Sequence, residues 1–158
     1  MNRLSARFYD RVFRASEKAG LSDARRKVLR GAHGTVLEIG AGTGLNLRAY
    51  PRAGIERLVL LEPDDPSAVL AEVARVLRPG GHYLFYEHVR SDDPKLARWQ
   101  DRAGPLWTAL SGGCHCNRRT LETIEASPLL LEHAGATRFP KAFPLVRPAI
   151  TGSAVLPA

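Results

Sequence analysis

The chain has 158 residues, enough for one compact domain with a real core. Its apolar content, 44%, is ordinary for a soluble protein, and no apolar run approaches the roughly 20 residues that span a bilayer. The net charge of +7 comes mainly from arginines spread along the chain, with no basic stripe interleaved with aromatics, so there is no strong nucleic-acid signal.

The elements follow in chain order. Residues 3–19 have helical spacing, with Leu4, Phe8, Val12, Ala15 and Ala19 on one face, and Gly20 ends the helix. Ser22 is placed to cap a second helix through Leu29, and the stretch from Gly31 to Gly34 turns into a strand at residues 36–39. A glycine turn follows, then a short helix over 44–49 stopped by Pro51. Residues 57–62 form a second apolar strand. Asp65 and Pro66 cap and start a helix over 66–77, whose apolar face is Val69, Leu70, Val73, Val76 and Leu77. Pro79, Gly80 and Gly81 stop it ahead of a strand at 82–89.

Asp93 and Pro94 start a long helix with Leu96, Trp99, Leu106, Trp107 and Leu110 on its apolar face, bent near Gly104 and Pro105. A short helix is expected over 120–126. The last strands fall at 129–132 and 149–155, joined by a proline-rich connection over 139–148. No repeat or second domain is evident, so residues 1–158 read as one domain. In it, residues 1–34 form a helical lid and 35–158 an α/β core.

The richest stretch is Thr35-Val-Leu-Glu-Ile-Gly-Ala-Gly-Thr-Gly44, a strand running into Gly40, Gly42 and Gly44. Glycines there let the backbone turn tightly and approach a ligand. A strand, such a turn and a helix make a nucleotide-cofactor cradle at the carboxyl end of an open sheet. The dinucleotide spacing G-x-G-x-x-G needs a glycine where Leu45 stands, so the pattern is instead E-x-G-x-G-x-G, led by Glu38. Glu62 ends the second strand at about the 20-residue spacing at which a carboxylate meets a ribose diol.

On these residues the chain resembles the class I S-adenosylmethionine (SAM)-dependent methyltransferases. Val76-Leu-Arg-Pro-Gly-Gly81 looks like that family's helix stop before its fifth strand. The resemblance implies SAM as cofactor. It places the loop contacts on Glu38, Gly40, Ala41, Gly42, Thr43 and Gly44, with Glu38 facing the methionine ammonium, and the ribose side on Glu62 and Pro63. In the carboxyl half, Glu87-His-Val89, Gly112-Gly-Cys-His-Cys-Asn-Arg118 and Phe139-Pro-Lys141 are similar to small-molecule methyltransferases of the quinone and alkyl-thiol type.

Between Pro63 and the 66–77 helix, roughly 40 residues of the family pattern are absent, more than one βαβ unit of about 30. The family's third and fourth strands fall in that hole. The fold class expected is therefore α/β, a Rossmann-like methyltransferase sandwich of about five strands in the order 2-1-5-7-6, the last but one antiparallel. The strand at 82–89 then pairs directly with 36–39. The second strand is left at an edge, which invites a homodimer.

SAM carries a good leaving group, so the protein must align a nucleophile and exclude water. His88 and Glu87 lie at a strand's carboxyl end, where ligands bind in open sheets, and alternation sends them to opposite faces. Histidine titrates near neutral pH, which favours His88 as the base; the structural alternative is a hydrogen-bonding histidine. Tyr9, Trp99, Trp107 and His115 are candidate substrate contacts, with core packing as the alternative for the tryptophans. Cys114-His115-Cys116 has no second cysteine pair, so no metal is expected. The two cysteines are too close in sequence for a structural bridge, and the first residues lack a secretory apolar core. Both point to the cytoplasm. The functional expectation is SAM-dependent methyl transfer to a small, apolar molecule at sulfur, oxygen or carbon. The alternative is a catalytically impaired remnant that binds SAM or a partner.

Overall fold

The computed structural model describes residues 14–41, 44–61, 69–111 and 114–158. From residue 14 the chain is helical, passing through a π-helical turn at Glu17–Leu21 into helix α1, Ser22–Leu29. Gly20 takes φ 117° there, so the break falls on a residue with no Cβ. Ser22 is not a cap. Leu21 and Ser22 themselves have helical backbone geometry, and the Ser22 hydroxyl donates to the Glu17 carbonyl oxygen at 3.4 Å. The helix expected at 3–19 is described only from residue 14, so Phe8 and Tyr9 lie outside the described residues.

Strands β1, Gly34–Ile39, and β2, Ile55–Leu61, pair in parallel, with Val36 opposite Leu58 and Glu38 opposite Leu60. Between them the expected helix is a 3-10 turn, Leu45–Arg48, started by Gly44 in left-handed geometry. Helix α2 is described over Val69–Val76. Leu70 and Val73 are buried as its spacing demands, while Val76, 42% exposed, falls off the covered face. Its stop is glycine-dependent: Gly80 has φ 75°, and a Cβ on Gly81 would come within 2.7 Å of the Arg78 carbonyl oxygen. The turn is tied to the far end of the chain, since Gly80 N–H donates to Leu156 at 2.8 Å and Leu156 N–H to Gly81 at 2.9 Å.

The second sheet has β3, His82–His88, β4, Leu130–Arg138, and β5, Pro148–Val155, in the order β3-β5-β4. β5 is antiparallel to both neighbours. β4 is longer than its apolar start suggested. Its polar second half still pairs with β5, after a register irregularity between Leu131 and His133, because ladder hydrogen bonds do not depend on side-chain polarity. Helix α3, Pro94–Leu110, starts with Asp93 accepting the Lys95 N–H at 2.9 Å and runs on through Pro105. Its buried face is Ala97, Gln100 and Gly104, whereas Trp99, Leu106 and Leu110 are exposed. Small residues let the helix lie close: the Gly104 position is backed by the Asn117 side chain. Helix α4 is Thr120–Glu125.

Within each half the strand order follows the expectation, but the join between them does not. Among the described residues β1 pairs only with β2 and β3 only with β5, so no ladder joins 36–39 to the strand at 82–88. Pairing would need the two backbones about 4.8 Å apart. What meets instead are side chains. Ile39 packs against the cluster of Leu70, Val73, Phe85, Ile124, Leu129, Ile150 and Ala154. Leu21, just ahead of α1, sits in the second cluster with Cys116, Phe139, Ala142, Leu145, Val146 and Ala149. The β1–β2 pair keeps Leu37, Val59, Leu60 and Leu61 exposed.

Candidate active site

Glu38 is the penultimate residue of β1, where strand alternation turns it inward, and it is only 7% exposed. The Asn46 side-chain amide donates to its Oε1 at 2.9 Å. Oε2 is equally buried. The Tyr50 phenol lies beside the same carboxylate and donates toward it. Burial, then the Glu38 charge and this contact, push the phenol well above its ordinary range.

The turn after Glu38 is built on positive φ. Gly40 has φ 72° and Gly44 φ 77°. Gly40 N–H continues the strand pairing to the Leu61 carbonyl at 2.8 Å, and Gly44 N–H closes onto Ala41 at 2.8 Å. Among the described residues nothing lies within 4 Å of where a Gly40 Cβ would stand. A positive-φ glycine beside a buried carboxylate is an arrangement that could receive a cationic ligand group. Gly42, Thr43, Glu62 and Pro63 lie outside the described residues.

Arg25 carried no signal in the sequence reading, because a lone arginine on a short amphipathic helix reads as solvated. From α1 it donates to Asn46 Oδ1 at 2.7 Å and to Glu17 Oε1 at 2.9 Å. Its charge also acts on Tyr86 and His88 of β3. The helical segment thus reaches both the glycine turn and the end of the other sheet.

His88 and Glu87 point apart, as alternation requires. The carboxylate of Glu87 accepts from the Tyr83 hydroxyl at 3.0 Å and the Thr120 hydroxyl at 3.3 Å. Burial first, then Glu87, hold the Tyr83 phenol well above its usual range. Both oxygens of Glu87 are therefore engaged, Oε1 within β3 and Oε2 with Thr120 at the start of α4.

The His88 ring leans on Phe139 with centroids 4.1 Å apart, and its Nδ1 lies 2.6 Å from the Val146 carbonyl oxygen. A carbonyl only accepts, so Nδ1 carries the proton and the basic lone pair is on Nε2. Burial pushes the ring down to about 4, the Val146 bond opposes this, and Arg25 adds to it. The ring is neutral at pH 7.

Gln100, fully buried on α3, was also missed. Its side-chain N–H2 faces the carbonyls of Val89 (3.1 Å), Cys116 (2.8 Å) and Leu145 (2.9 Å), and its Oε1 accepts the Ser91 N–H at 2.8 Å. It pins the end of β3, the cysteine loop and the turn that carries Val146. A polar residue at the Ala97–Gly104 spacing was the available clue.

Of the aromatic candidates, Trp107 packs beside the cluster that holds Phe139 and Val146, so it shares surroundings with His88. Trp99 is 40% exposed and leans on Phe143 at 5.5 Å; Trp107 stacks on Phe143 at 6.5 Å. His115 is exposed. Burial pushes the Cys114 thiol up to about 11, and both cysteines are free. Among the described residues no group of three or more metal-ligating side chains is placed to hold an ion, and no helix is long and apolar enough to cross a membrane.

Comparison with known proteins bears on this geometry. No family model matches the chain. Over 102 residues it is 40% identical to the human thiol S-methyltransferase TMT1A, covering 62% of this chain and 41% of that protein. It is 44% identical over 69 residues to the rat thiol S-methyltransferase TMT1B, covering 43% and 28%. Its homologues are thiol S-methyltransferases. The chain spans less than half the length of these relatives. Among solved structures, a Thermotoga maritima SAM-dependent methyltransferase, proposed to be a histamine N-methyltransferase, matches with a TM-score of 0.58 at 16% identity, covering 99% of this chain and all of that one. A Bacillus halodurans protein proposed to be a methyltransferase matches with a TM-score of 0.57 at 11% identity, covering 88% and 100%. The fold is the Rossmann-like methyltransferase fold, shared with those structures.

Proposed function

We propose that the chain binds SAM at the Glu38–Gly44 turn and methylates a small, apolar thiol. The observation that carries this is the buried Glu38 carboxylate at the head of an E-x-G-x-G-x-G turn. Thiol S-methyltransferase relatives support sulfur as the accepting atom. When bound, SAM supplies a methyl group on a sulfonium that is already a good leaving group.

The chain's own residues then have limited work. Glu38 would take the ammonium, Gly40 would admit the ligand close to the backbone, and Glu62 with Pro63 would hold the ribose side. His88, its ring fixed by Val146 and Phe139 and its basicity held low, would stand beside the thiol as a neutral polar group, and the thiol would give its proton to solvent and react as the thiolate. Trp107 would wall the thiol's apolar part, and Tyr9 and Trp99 are further candidate contacts. The free thiols of Cys114 and Cys116 support a reducing compartment such as the cytoplasm.

A second reading is favoured by the unjoined β1–β2 pair: a remnant that binds SAM or a partner without turnover. The exposed Val59, Leu60 and Leu61 of β2 support a homodimer in either case. Titration with SAM and with S-adenosylhomocysteine, followed by turnover on alkyl and aryl thiols, separates the two. Binding with turnover supports the enzyme, and binding alone supports the remnant.

A further inference from the structure

We infer that Arg25 is a positioning residue that sets the cofactor turn for its ligand by fixing which end of the Asn46 amide faces Glu38. The inference rests on the reading of Glu38 as the ammonium site. An asparagine amide has an accepting end and a donating end, and it can rotate between them. A guanidinium has only donors, so Arg25 Nη1, 2.7 Å away, can engage only Oδ1 of Asn46. The donating Nδ2 is thereby turned to Glu38 Oε1 at 2.9 Å. The amide thus holds one oxygen of the carboxylate, and the Tyr50 phenol lies beside it.

Arg25 is itself held. Its Nη2 donates to Glu17 Oε1 at 2.9 Å in a pair whose side chains are 19% and 23% exposed, so solvent competes little. The relay Glu17–Arg25–Asn46–Glu38 runs through four elements: the π-helical turn, α1, the 3-10 turn after the glycines, and β1. Ligand binding at Glu38 and seating of the helical segment are thereby coupled. Arg25 does not touch the reacting atoms.

The test has two arms on the full chain. In the first, amide hydrogen exchange is measured without ligand. Leu47 and Ala49 N–H, which close the 3-10 turn onto Gly44 and Asn46, should exchange about ten-fold faster in Arg25→Met than in the parent. In the second, S-adenosylhomocysteine is titrated calorimetrically into the parent, Arg25→Met, Arg25→Lys, Asn46→Leu and the Arg25→Met/Asn46→Leu double variant. Each Met or Leu single variant should bind about ten-fold more weakly, and the double variant no more weakly than the poorer single. Arg25→Lys, which keeps a charged donor and serves if Arg25→Met fails to fold, should lie between parent and Met. Parent-like binding by the folded Arg25 variants, or losses that multiply in the double variant, overturns the relay. A parent that binds no S-adenosylhomocysteine overturns the Glu38 reading instead. The exchange arm then decides by itself whether Arg25 orders the turn.

Discussion

His88 and Val146 meet at 2.6 Å, ring Nδ1 to carbonyl oxygen, and that single bond fixes the tautomer of the histidine nearest the proposed chemistry. The ring titrates at about 4 in the fold, below its ordinary 6.5.

The sign of the consequence follows from linkage. Above pH 6.5 folded and unfolded chains both hold this ring neutral. As pH falls from 6.5 toward 4 the unfolded chain takes the proton first, so stability declines by about 3 kcal/mol from this group alone. His88→Gln lacks that term. Its urea-unfolding free energy should fall less between pH 7 and pH 4 than the parent's, and equal slopes would show an ordinary histidine.

Turnover should report the same state. With His88 neutral throughout, the rate on a thiol should rise with pH along the thiol's own ionisation, with no inflection near 6.5. His88→Gln should lower turnover and leave S-adenosylhomocysteine affinity nearly unchanged. A parent profile with a clear limb at 6.5 would return His88 to the role of general base.

Gln100 should be a stability hot spot. Gln100→Leu removes the partner of the Ser91 N–H and of three carbonyls at once, and each buried group left unpaired costs about 1–3 kcal/mol. A loss of about 3 kcal/mol or more in urea denaturation is expected, a large share of the 5–15 kcal/mol typical of a domain. A loss under about 1 kcal/mol would mean that water replaces the amide.

Gly152 is a second such position. A Cβ there would stand 2.2 Å from the His133 carbonyl oxygen and 2.6 Å from the Phe85 ring, in the middle of the β3-β5-β4 ladder. Gly152→Ala should cost about 3 kcal/mol and lower Tm by about 10 °C. A Tm within a degree or two of the parent would show that the sheet yields there.

Much of this was legible from residue spacing. Helix α1 ends where periodicity placed it, and Pro79-Gly80-Gly81 stops α2 as local chemistry requires. Glu38 stands at the end of β1 ahead of the glycine turn, as the E-x-G-x-G-x-G pattern placed it. What escaped was tertiary. Arg25 and Gln100 matter through partners 21 and 45 positions away, such as Asn46 and Leu145, and no local pattern encodes such contacts. The face of α3 was misjudged because large apolar residues were read as buried, whereas close approach selected Ala97 and Gly104. The β1–β3 pairing failed as an expectation because deleting strands does not oblige the flanking strands to meet.

The central claim is SAM-dependent methylation of a small thiol, and the most direct measurement is transfer of labelled methyl from SAM. The full chain is assayed with a panel of alkyl and aryl thiols against the corresponding alcohols, for the parent and for Glu38→Gln. The account predicts labelled thioether and S-adenosylhomocysteine in equal amounts from thiols, none from alcohols, and a loss of SAM affinity of about ten-fold or more in Glu38→Gln. SAM binding unaffected by Glu38→Gln, or no labelled thioether from any thiol, would contradict it.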